Sequence, residues 1–242
     1  MKKAIVVAIY IFFGIFFIGY RAFYFLGSPL ETLVFKALAS LCFVLLAFFN
    51  YFNFKSVEVD NGGGIAKERS PSFKRYSVKI IFALCFSFAA DILIKKNLVS
   101  GILAFLLAQI CFFLAFLEFK KITLRYILLV FCVASAIIIF EWFCPFFNIK
   151  ELALPLSLYA FFVVGSALKS IDALGLENKF ARLVTFASIL FLISDLSLQL
   201  SISKICSLSW AGDQIANNFS NAIYYAAQFL FAGSLGKDFI GR

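Results

Sequence analysis

Two aspartates stand inside long apolar stretches of this 242-residue sequence. Asp91 follows the run "FALCFSFAA" and Asp195 follows "FASILFLIS", so each acid comes late in a hydrophobic segment. A charged side chain near the centre of a bilayer costs about 2.5–3.5 kcal/mol, and such residues usually face a bundle interior or a water-filled pocket. Two carboxyls in unlike surroundings can divide the roles of general acid and general base. The two aspartates are therefore the candidate catalytic residues.

The residue types that are missing narrow the chemistry further. The sequence contains no His, which excludes Ser-His-Asp triads, Cys-His pairs and His-ligated zinc. Its six cysteines form no CxxC pair and mostly lie in apolar runs, so we interpret them as small packing residues. Neither a metal nor a cofactor is expected. The cysteines are Cys42, Cys85, Cys111, Cys132, Cys144 and Cys206.

Other polar side chains occur in the apolar segments at a depth similar to that of the two acids. Ser87 lies one helical turn before Asp91. Asn221, Tyr225 and Gln228 follow i, i+4, i+7 spacing and share one face of a helix. The predicted substrate-binding or supporting residues are Lys36, Ser87, Gln109, Tyr159, Ser194, Asn221, Tyr224, Tyr225 and Gln228.

Two interpretations of this polar set stay open. In the first, the residues meet in one chamber near the non-cytoplasmic side of the membrane and form a binding site. In the second, Asp91 and Lys36 are only a buried ion pair, and the amide side chains hydrogen-bond neighbouring helices together. Glu141 is the weakest member of the set, because it precedes "WFCPFF" and fits the membrane interface, where Trp142 would anchor the helix.

The elements that carry these residues are membrane helices. Hydrophobic residues make up 63% of the sequence and charged residues only 14%, whereas soluble domains are closer to half apolar and a quarter charged. Apolar runs of about 20 residues, the length of a membrane span, recur along the chain. We predict an all-α, single-domain bundle of eight transmembrane helices over residues 1–242. The predicted spans are 4–20, 32–52, 78–94, 98–118, 124–143, 152–169, 183–201 and 215–235.

Most of the 22 basic residues fall on one side of the membrane if the chain has eight spans. They cluster at both ends of the sequence, in the loop 53–77 and in later short loops on the same side. Because positive loops stay in the cytoplasm, we predict cytoplasmic termini, a cytoplasmic loop 53–77 and a bacterial plasma membrane location. The same distribution accounts for the net charge of +9, so nucleic acid is not an expected partner.

A faint internal similarity links the third and fourth spans with the seventh and eighth. A Phe-Ala pair precedes Asp91 and Asp195 at the same spacing. "LLAQ" at 106–109 likewise resembles "YAAQ" at 225–228. The pattern indicates a parallel 4+4 repeat, in which the two aspartates would face one another across the bundle. Chance similarity in a sequence of such biased composition is the alternative.

Taken in order, these motifs resemble the YhhN family of lysoplasmalogenases over nearly the whole chain. The resemblance rests on "VFKALAS" in the second span, the acid that ends the third, "GILAFLLAQICF" in the fourth, a Tyr in the sixth, "SD" in the seventh and "YYAAQ" in the eighth. The sequence departs from the family pattern at four positions. Ala90 and Ala187 replace a usual Gly, Gln109 replaces a usual His, and Phe112 replaces a usual Tyr.

The resemblance implies hydrolysis of the vinyl ether bond of a lysoplasmalogen, which releases a fatty aldehyde and glycerophosphoethanolamine or glycerophosphocholine. Protonation of a vinyl ether carbon gives an oxocarbenium ion that water attacks, so carboxyls suffice without a nucleophile. In this scheme Asp195 donates the proton, while Asp91 beside Lys36 stays ionised and orients water. Tyrosines of spans 6 and 8, with Gln228, would hold the water or the glycerol hydroxyl. The expected partners are the lysophospholipid substrate and membrane lipid, and the oligomeric state stays open.

Three basic residues, Arg21, Lys95 and Lys96, lie at the outer rim of the predicted chamber. They could contact the anionic phosphate of a lysophospholipid. We interpret them instead as ordinary interfacial residues whose charged ends reach water, because this placement is common near the ends of membrane helices.

The main alternative function is a transporter or binding protein for a lipid or small solute, which would use the same chamber without cleaving a bond. An Asp–Lys pair and an internal repeat fit that class, but the spans contain few Gly or Pro breaks. A hydrolase of another ether or ester lipid and a non-catalytic family member are further alternatives. An assay for fatty aldehyde release separates these functions.

Overall fold

The computed structural model describes residues 2–55, 71–143, 153–174, 179–202 and 210–236. Within these ranges the chain forms eight α-helices and no strand. The predicted all-α fold of a polytopic membrane protein is therefore confirmed. The helices are α1 (Lys2–Phe25), α2 (Pro29–Lys55), α3 (Pro71–Lys96), α4 (Leu98–Phe116), α5 (Leu124–Phe143), α6 (Ala153–Leu174), α7 (Lys179–Ile202) and α8 (Trp210–Gly233).

The helices have the lengths and surfaces of membrane spans. Among the described residues six helices, α1–α4, α6 and α7, are long and apolar enough to cross a bilayer. The apolar part of α5, Leu124–Ile139, is shorter, and α8 opens with the polar sequence "GDQIANN". Large apolar side chains such as Ile11, Phe12 and Ile15 of α1 are exposed on the outside of the bundle. Because such a surface is stable in lipid rather than in water, this is an integral membrane protein.

Helices α1, α2, α3 and α7 extend beyond the predicted spans at both ends, and the predicted loop 53–77 is wrong at both ends. α2 continues to Lys55 and α3 begins at Pro71, so only residues 56–70, which lie outside the described ranges, separate them. Similarly, α1 covers Lys2–Phe25 rather than 4–20. Hydropathy detects only the part of a helix that lies in lipid, whereas the backbone hydrogen bonds continue into its polar flanks.

The helix neighbours follow the arrangement that a parallel 4+4 repeat requires. α2 packs against α1, α3 and α8, while α6 packs against α5, α7 and α4. In addition, α3 pairs closely with α4, and α7 pairs closely with α8. Shifting each helix number by four converts one set of contacts into the other. The aspartates of α3 and α7 therefore occupy corresponding positions of the two halves.

The turn between α1 and α2 depends on a glycine. Gly27 has a φ of 71°, a left-handed conformation that glycine adopts without the penalty of a side chain. The Gly27 N–H donates to the Tyr24 carbonyl at 3.3 Å, and the Ser28 N–H donates to the Phe23 carbonyl at 3.1 Å. These two bonds form a Schellman motif, which ends α1 and reverses the chain into α2.

The hairpin between α3 and α4 brings the backbones of these two helices into close contact. Asn97 caps α4, and its side chain accepts a hydrogen bond from the Ser100 N–H at 3.1 Å. A Cβ atom at Gly101 would lie 2.5 Å from the Cα of Ile94, so only glycine allows the two helices to approach so closely. This contact fixes the last turn of α3 against the first turn of α4.

Charged side chains join helices at the opposite end of the bundle. Lys79 and Arg75 of α3 both pair with Glu118, which follows α4. Burial acts to raise the pKa of Glu118, but the hydrogen bonds and charges of Lys79 and Arg75 together act more strongly, so this pKa lies below its ordinary value. Asp172 of α6 accepts a hydrogen bond from the fully buried Lys169 at 2.8 Å.

The cysteines of the described ranges are unpaired thiols. Cys42 is buried, in keeping with the predicted packing role, and Cys85 and Cys111 are partly buried. Cys132 is exposed on α5 and does not pack in the core. The remaining two lie outside the described residues: Cys144 and Cys206.

Candidate active site

A cavity of about 310 Å³ lies at the end of the bundle where α1 and α3 finish and α2 and α4 begin. Apolar side chains form most of its wall and a few polar groups converge on it, which is the usual composition of a small-molecule site. Both Asp91 and Asp195 line it, so the structure brings the two predicted catalytic residues to one space. The lining residues are Tyr20, Tyr24, Lys36, Asp91, Ile94, Lys95, Leu98, Ile102, Phe105, Leu156, Tyr159, Ser194, Asp195, Leu198, Asn217, Ser220, Asn221 and Tyr224.

The mouth of the cavity lies at the turn between α3 and α4. Lys95, at the end of α3, and Leu98, at the start of α4, both line the cavity and are exposed. The aspartates lie further inside, with Asp91 one helical turn before Lys95, or about 6 Å along the axis of α3. A molecule that enters at this turn therefore passes Lys95 before it reaches Asp91.

Asp91 is buried and surrounded by hydrogen-bond donors. Lys36 Nζ of α2 lies 2.9 Å from its Oδ1. The hydroxyls of Ser40 and Tyr224 donate to its Oδ2 at 2.6 and 2.9 Å. Donors from α2 and α8 thus hold a carboxylate of α3 whose charge Lys36 balances. A buried pair of this kind is costly to break from one side, because the remaining charge has no partner.

Asp195 has a sparser environment. Its Oδ2 accepts a hydrogen bond from the Tyr159 hydroxyl of α6 at 2.7 Å. No Lys or Arg of the described residues lies within ion-pair distance of it. The two acids therefore share one cavity but differ in their charge partners: Asp91 has a lysine, whereas Asp195 has a neutral hydroxyl.

One aromatic ring contacts the tyrosine partners of both acids. Phe105 of α4 lines the cavity, and its ring centroid lies 6.4 Å from that of Tyr159 and 5.9 Å from that of Tyr224. Ring pairs at these distances are in packing contact. Each tyrosine is thus fixed by an aromatic neighbour as well as by its carboxyl partner.

Two further predicted residues, Ser194 and Asn221, line the cavity and also make contacts that fix α7 and α8. The Ser194 hydroxyl donates to the Ser220 carbonyl, and the Ser220 hydroxyl donates to the Ser194 carbonyl, each at 2.9 Å. This reciprocal pair holds the two helices together beside Asp195. Asn221 Nδ2 donates to the side-chain oxygen of Asn217 at 2.6 Å, which orders the cavity face of α8.

Four predicted residues lie deeper in the bundle and do not line the cavity: Ser87, Gln109, Tyr225 and Gln228. The hydroxyl of Tyr225 lies 3.1 Å from that of Ser40, so Tyr225 contacts a partner of the first aspartate. Gln109 accepts a hydrogen bond from Ser166 at 2.7 Å, which joins α4 to α6. The other two are fully buried, and their side-chain polar atoms have no partner among the described residues.

Among the residues that line the cavity or contact Asp91, Ser40, Tyr20 and Tyr24 were not predicted from the sequence. Ser40 lies four residues after Lys36, so helical spacing on α2 could have linked both to Asp91. Tyr20 and Tyr24 of α1 had no such signal, because they sit at the end of an ordinary apolar span. Glu141 belongs to α5, but its side chain lies outside the described residues.

The comparison with protein families identifies the chain. The family model described as the YhhN family matches residues 31–235, which include nearly all of α2 and the whole of α3–α8. The chain belongs to the YhhN family. No curated protein and no solved structure matches the sequence.

The YhhN match contains both aspartates and the hydrogen-bond partners described above. Tyr20 and Tyr24, which close the cavity on the side of α1, precede the matched residues. The departure from the expected YhhN pattern at Gln109 concerns a residue that does not line the cavity. The cavity therefore combines residues from the matched part of the chain with residues from a helix outside it.

Proposed function

We propose that this protein is a membrane-embedded hydrolase that cleaves the vinyl ether bond of lysoplasmalogens, releasing a fatty aldehyde and glycerophosphoethanolamine or glycerophosphocholine. One observation carries the proposal. Asp91 and Asp195 line a single cavity, and only Asp91 has a cation as partner among the described residues. Vinyl ether hydrolysis requires a proton donor and a charge that stabilises a cation, and it needs neither a Ser nor a His nucleophile.

Asp195 is the proposed proton donor. Burying a lone carboxylate is costly, so an acid whose described partner is a neutral hydroxyl is favoured in its protonated form. It transfers the proton to the β-carbon of the vinyl ether, and the π electrons of the double bond form the new C–H bond. The positive charge that results is shared by the α-carbon and the ether oxygen.

Asp91 is the proposed ionised partner. Lys36 balances its charge, and its oxygens accept from Lys36, Ser40 and Tyr224, which uses three of the roughly four acceptor positions of a carboxylate. Its negative charge stabilises the oxocarbenium ion electrostatically. The remaining acceptor position can orient the water that attacks the α-carbon.

In the proposed cycle, Asp195 recovers the proton that it donates. When water adds to the α-carbon, the proton that it loses passes to the carboxylate that Asp195 has become. The hemiacetal then collapses: Asp195 protonates the glycerol oxygen as the C–O bond breaks, and it receives the proton of the hemiacetal hydroxyl. The products are the aldehyde and the free glycerol hydroxyl, and Asp195 is protonated again.

The distribution of basic residues supports an orientation for this site. The start of α1 carries Lys2 and Lys3, and the start of α3 carries Lys74, Arg75 and Lys79; both helix starts lie at the end of the bundle opposite the cavity. Positive segments stay on the cytoplasmic side. Both chain ends are therefore cytoplasmic in our proposal, and the cavity opens toward the outer leaflet of a bacterial plasma membrane.

The test is fatty aldehyde release by the purified protein in detergent from 1-alkenyl lysophospholipids. The 1-alkyl and 1-acyl lysophospholipids are the comparison lipids, since an ether without the double bond cannot form the oxocarbenium ion by protonation. We expect aldehyde from the alkenyl lipids alone, and strongly reduced release from Asp91→Asn and from Asp195→Asn. Glu31→Gln is the matched control, because Glu31 is exposed and does not line the cavity. Tight lipid binding by the unmutated protein without any aldehyde would instead support a transporter or binding protein.

A further inference from the structure

We propose that Arg21, Lys95 and Tyr24 form a phosphate-binding subsite at the mouth of the cavity, which holds the headgroup of the lysophospholipid. The inference rests on the proposed function for the identity of the lipid. It differs from the interpretation of these basic residues as ordinary interfacial side chains. Arg21 and Tyr24 precede the residues that match the family, whereas Lys95 lies within them.

Both cations rest on the same aromatic ring. The guanidinium carbon of Arg21 lies 4.9 Å from the centroid of the Tyr24 ring, and Lys95 Nζ lies 5.3 Å from it. Tyr24 and Lys95 line the cavity, whereas Arg21 contacts the Tyr24 ring without lining it. Two helices that are distant in sequence, α1 and α3, thus bring two positive charges to one aromatic ring at the cavity mouth.

Neither cation has an anionic partner in the part of the chain that the structure describes. No carboxylate of the described residues lies within ion-pair distance of Arg21 or Lys95. Lys36 and Arg21 are both close enough to repel Lys95 electrostatically. The nearest acid of the cavity, Asp91, is already paired with Lys36. The mouth therefore carries net positive charge that an anion would balance.

Arg21 does not extend its charged end into water. Its Nη1 and Nη2 atoms are buried and have no hydrogen-bond acceptor among the described residues. A buried guanidinium group without acceptors is costly, and snorkelling would instead expose these atoms. The planar fork of Arg suits the oxygens of a phosphate, which can accept two parallel hydrogen bonds from it.

Tyr24 supplies a third polar group. Asn217 Nδ2 donates to the Tyr24 hydroxyl at 3.4 Å, so the hydroxyl proton of Tyr24 remains available as a donor. Asn217 lines the cavity beside it. A phosphate held here would lie about one helical turn from Asp91, because Lys95 follows Asp91 by four residues on α3. The three glycerol carbons between the phosphate and the vinyl ether oxygen cover a comparable span.

The test measures binding without catalysis. Two non-cleavable ethers are compared on the detergent-solubilised protein: 1-alkyl lysophosphatidylethanolamine and 1-alkylglycerol, which lacks the phosphate. We expect tighter binding of the phosphate-bearing ether. Arg21→Gln and Lys95→Gln should each weaken that binding roughly 10- to 100-fold, the range for loss of a charge-assisted hydrogen bond, and leave 1-alkylglycerol binding unchanged.

Two variants serve as controls. Lys96→Gln removes the neighbouring charge, but Lys96 is exposed and does not line the cavity, so binding should change little. Arg21→Lys keeps the charge without the fork and should retain part of the affinity, which also covers the case that Arg21→Gln fails to fold. Equal binding of the two ethers by the unmutated protein, or an effect of Lys96→Gln as large as that of Lys95→Gln, would overturn the subsite.

Further arms separate the subsite from the hydrolase and from free phosphate. Phosphate preference without aldehyde release from the alkenyl lipid would support the subsite and contradict the hydrolase. Aldehyde release without phosphate preference would do the reverse. Inorganic phosphate that binds as tightly as the lysophospholipid would indicate a site for the free anion and contradict its assignment to a lipid headgroup.

Discussion

Asp91 and Asp195 occupy corresponding helices of the two halves and line the same cavity, yet their surroundings differ in one decisive respect. Lys36, Ser40 and Tyr224 all contact Asp91, whereas Tyr159 alone donates to Asp195 among the described residues. The first acid is part of the structure that joins α2, α3 and α8. The second acid has one described hydrogen-bond donor and no described ion pair, and in our proposal it exchanges the proton. Corresponding sequence positions thus give two carboxyls with different hydrogen-bond and ion-pair partners. The following variants test that difference.

Asp195→Asn should have the largest effect on activity and a small effect on stability. The substitution keeps the shape of the side chain and breaks no ion pair, but it removes the proton donor. General acid catalysis typically contributes about 10²–10⁴ in rate, so aldehyde release should fall by that factor. Thermal unfolding in detergent should stay near that of the unmutated protein. Retained activity would show that another group supplies the proton.

Asp91→Asn should act on stability as well as activity. It leaves Lys36 buried without its counter-ion, which typically costs about 3–5 kcal/mol. The double variant Asp91→Asn with Lys36→Met removes both charges and should recover much of the lost stability without recovering aldehyde release. If the single variant unfolds at the same temperature as the unmutated protein, the pair does not have the structural role that we assign to it.

The tyrosine partners of the two acids should also differ in their importance, because Tyr159 donates to Asp195 and Tyr224 donates to Asp91. Tyr159→Phe removes the described partner of Asp195 that stabilises its anion after proton transfer, so aldehyde release should fall roughly 10-fold or more. Tyr224→Phe leaves Asp91 with Lys36 and Ser40, and its effect should be weaker. Initial rates at saturating lipid compare the two. An equal or larger loss in Tyr224→Phe would contradict the assignment of proton transfer to Asp195.

Glu118→Gln should have the smallest effect, because Glu118 resembles Asp91 in being ion-paired but lies far from the cavity. Its pKa is lowered in the folded protein, so its ion pairs contribute stability at pH values above the unfolded-state pKa, and that contribution is lost as pH falls through the folded-state pKa. The substitution should lower stability by up to about 1 kcal/mol at neutral pH and by less in acid. Thermal unfolding at two pH values checks this, with aldehyde release expected to stay normal. A loss of activity would show that the pairs at this end also shape the cavity.

Much of this arrangement was predictable from the depth of polar residues along each span. Hydropathy predicted the helical fold, and the late positions of Asp91 and Asp195 in spans that were predicted to run in the same direction indicated a common depth. Spacing within one helix also placed Ser194 next to its acid. These properties are local, and each can be inferred within a single apolar segment.

The partners that cross between helices were not predictable in the same way. Tyr224 and Tyr225 share one short motif, but only Tyr224 contacts Asp91, because the rotation of α8 against α3 decides which of the two faces the cavity. Gln109 and Gln228 were predicted at the site, yet they lie beneath the cavity wall. A sequence pattern predicts the depth of a residue in the membrane, whereas helix packing decides whether its side chain lines the cavity or contacts a neighbouring helix.

The close contact between Gly101 and Ile94 has a consequence for the range of lipids that could enter under our proposal. It joins α3 to α4 backbone to backbone, so the wall that bears Lys95 has a fixed position. On the wall that α1 forms, this helix meets α8 through aromatic side chains, such as the edge-to-face contact of Phe13 with Phe229, whose ring centroids lie 4.5 Å apart. Rotation of these side chains can change the shape of that wall, whereas the backbone contact keeps the α3–α4 hairpin in place. We therefore expect the side chains of α1 to decide how large a lipid headgroup the cavity can accept.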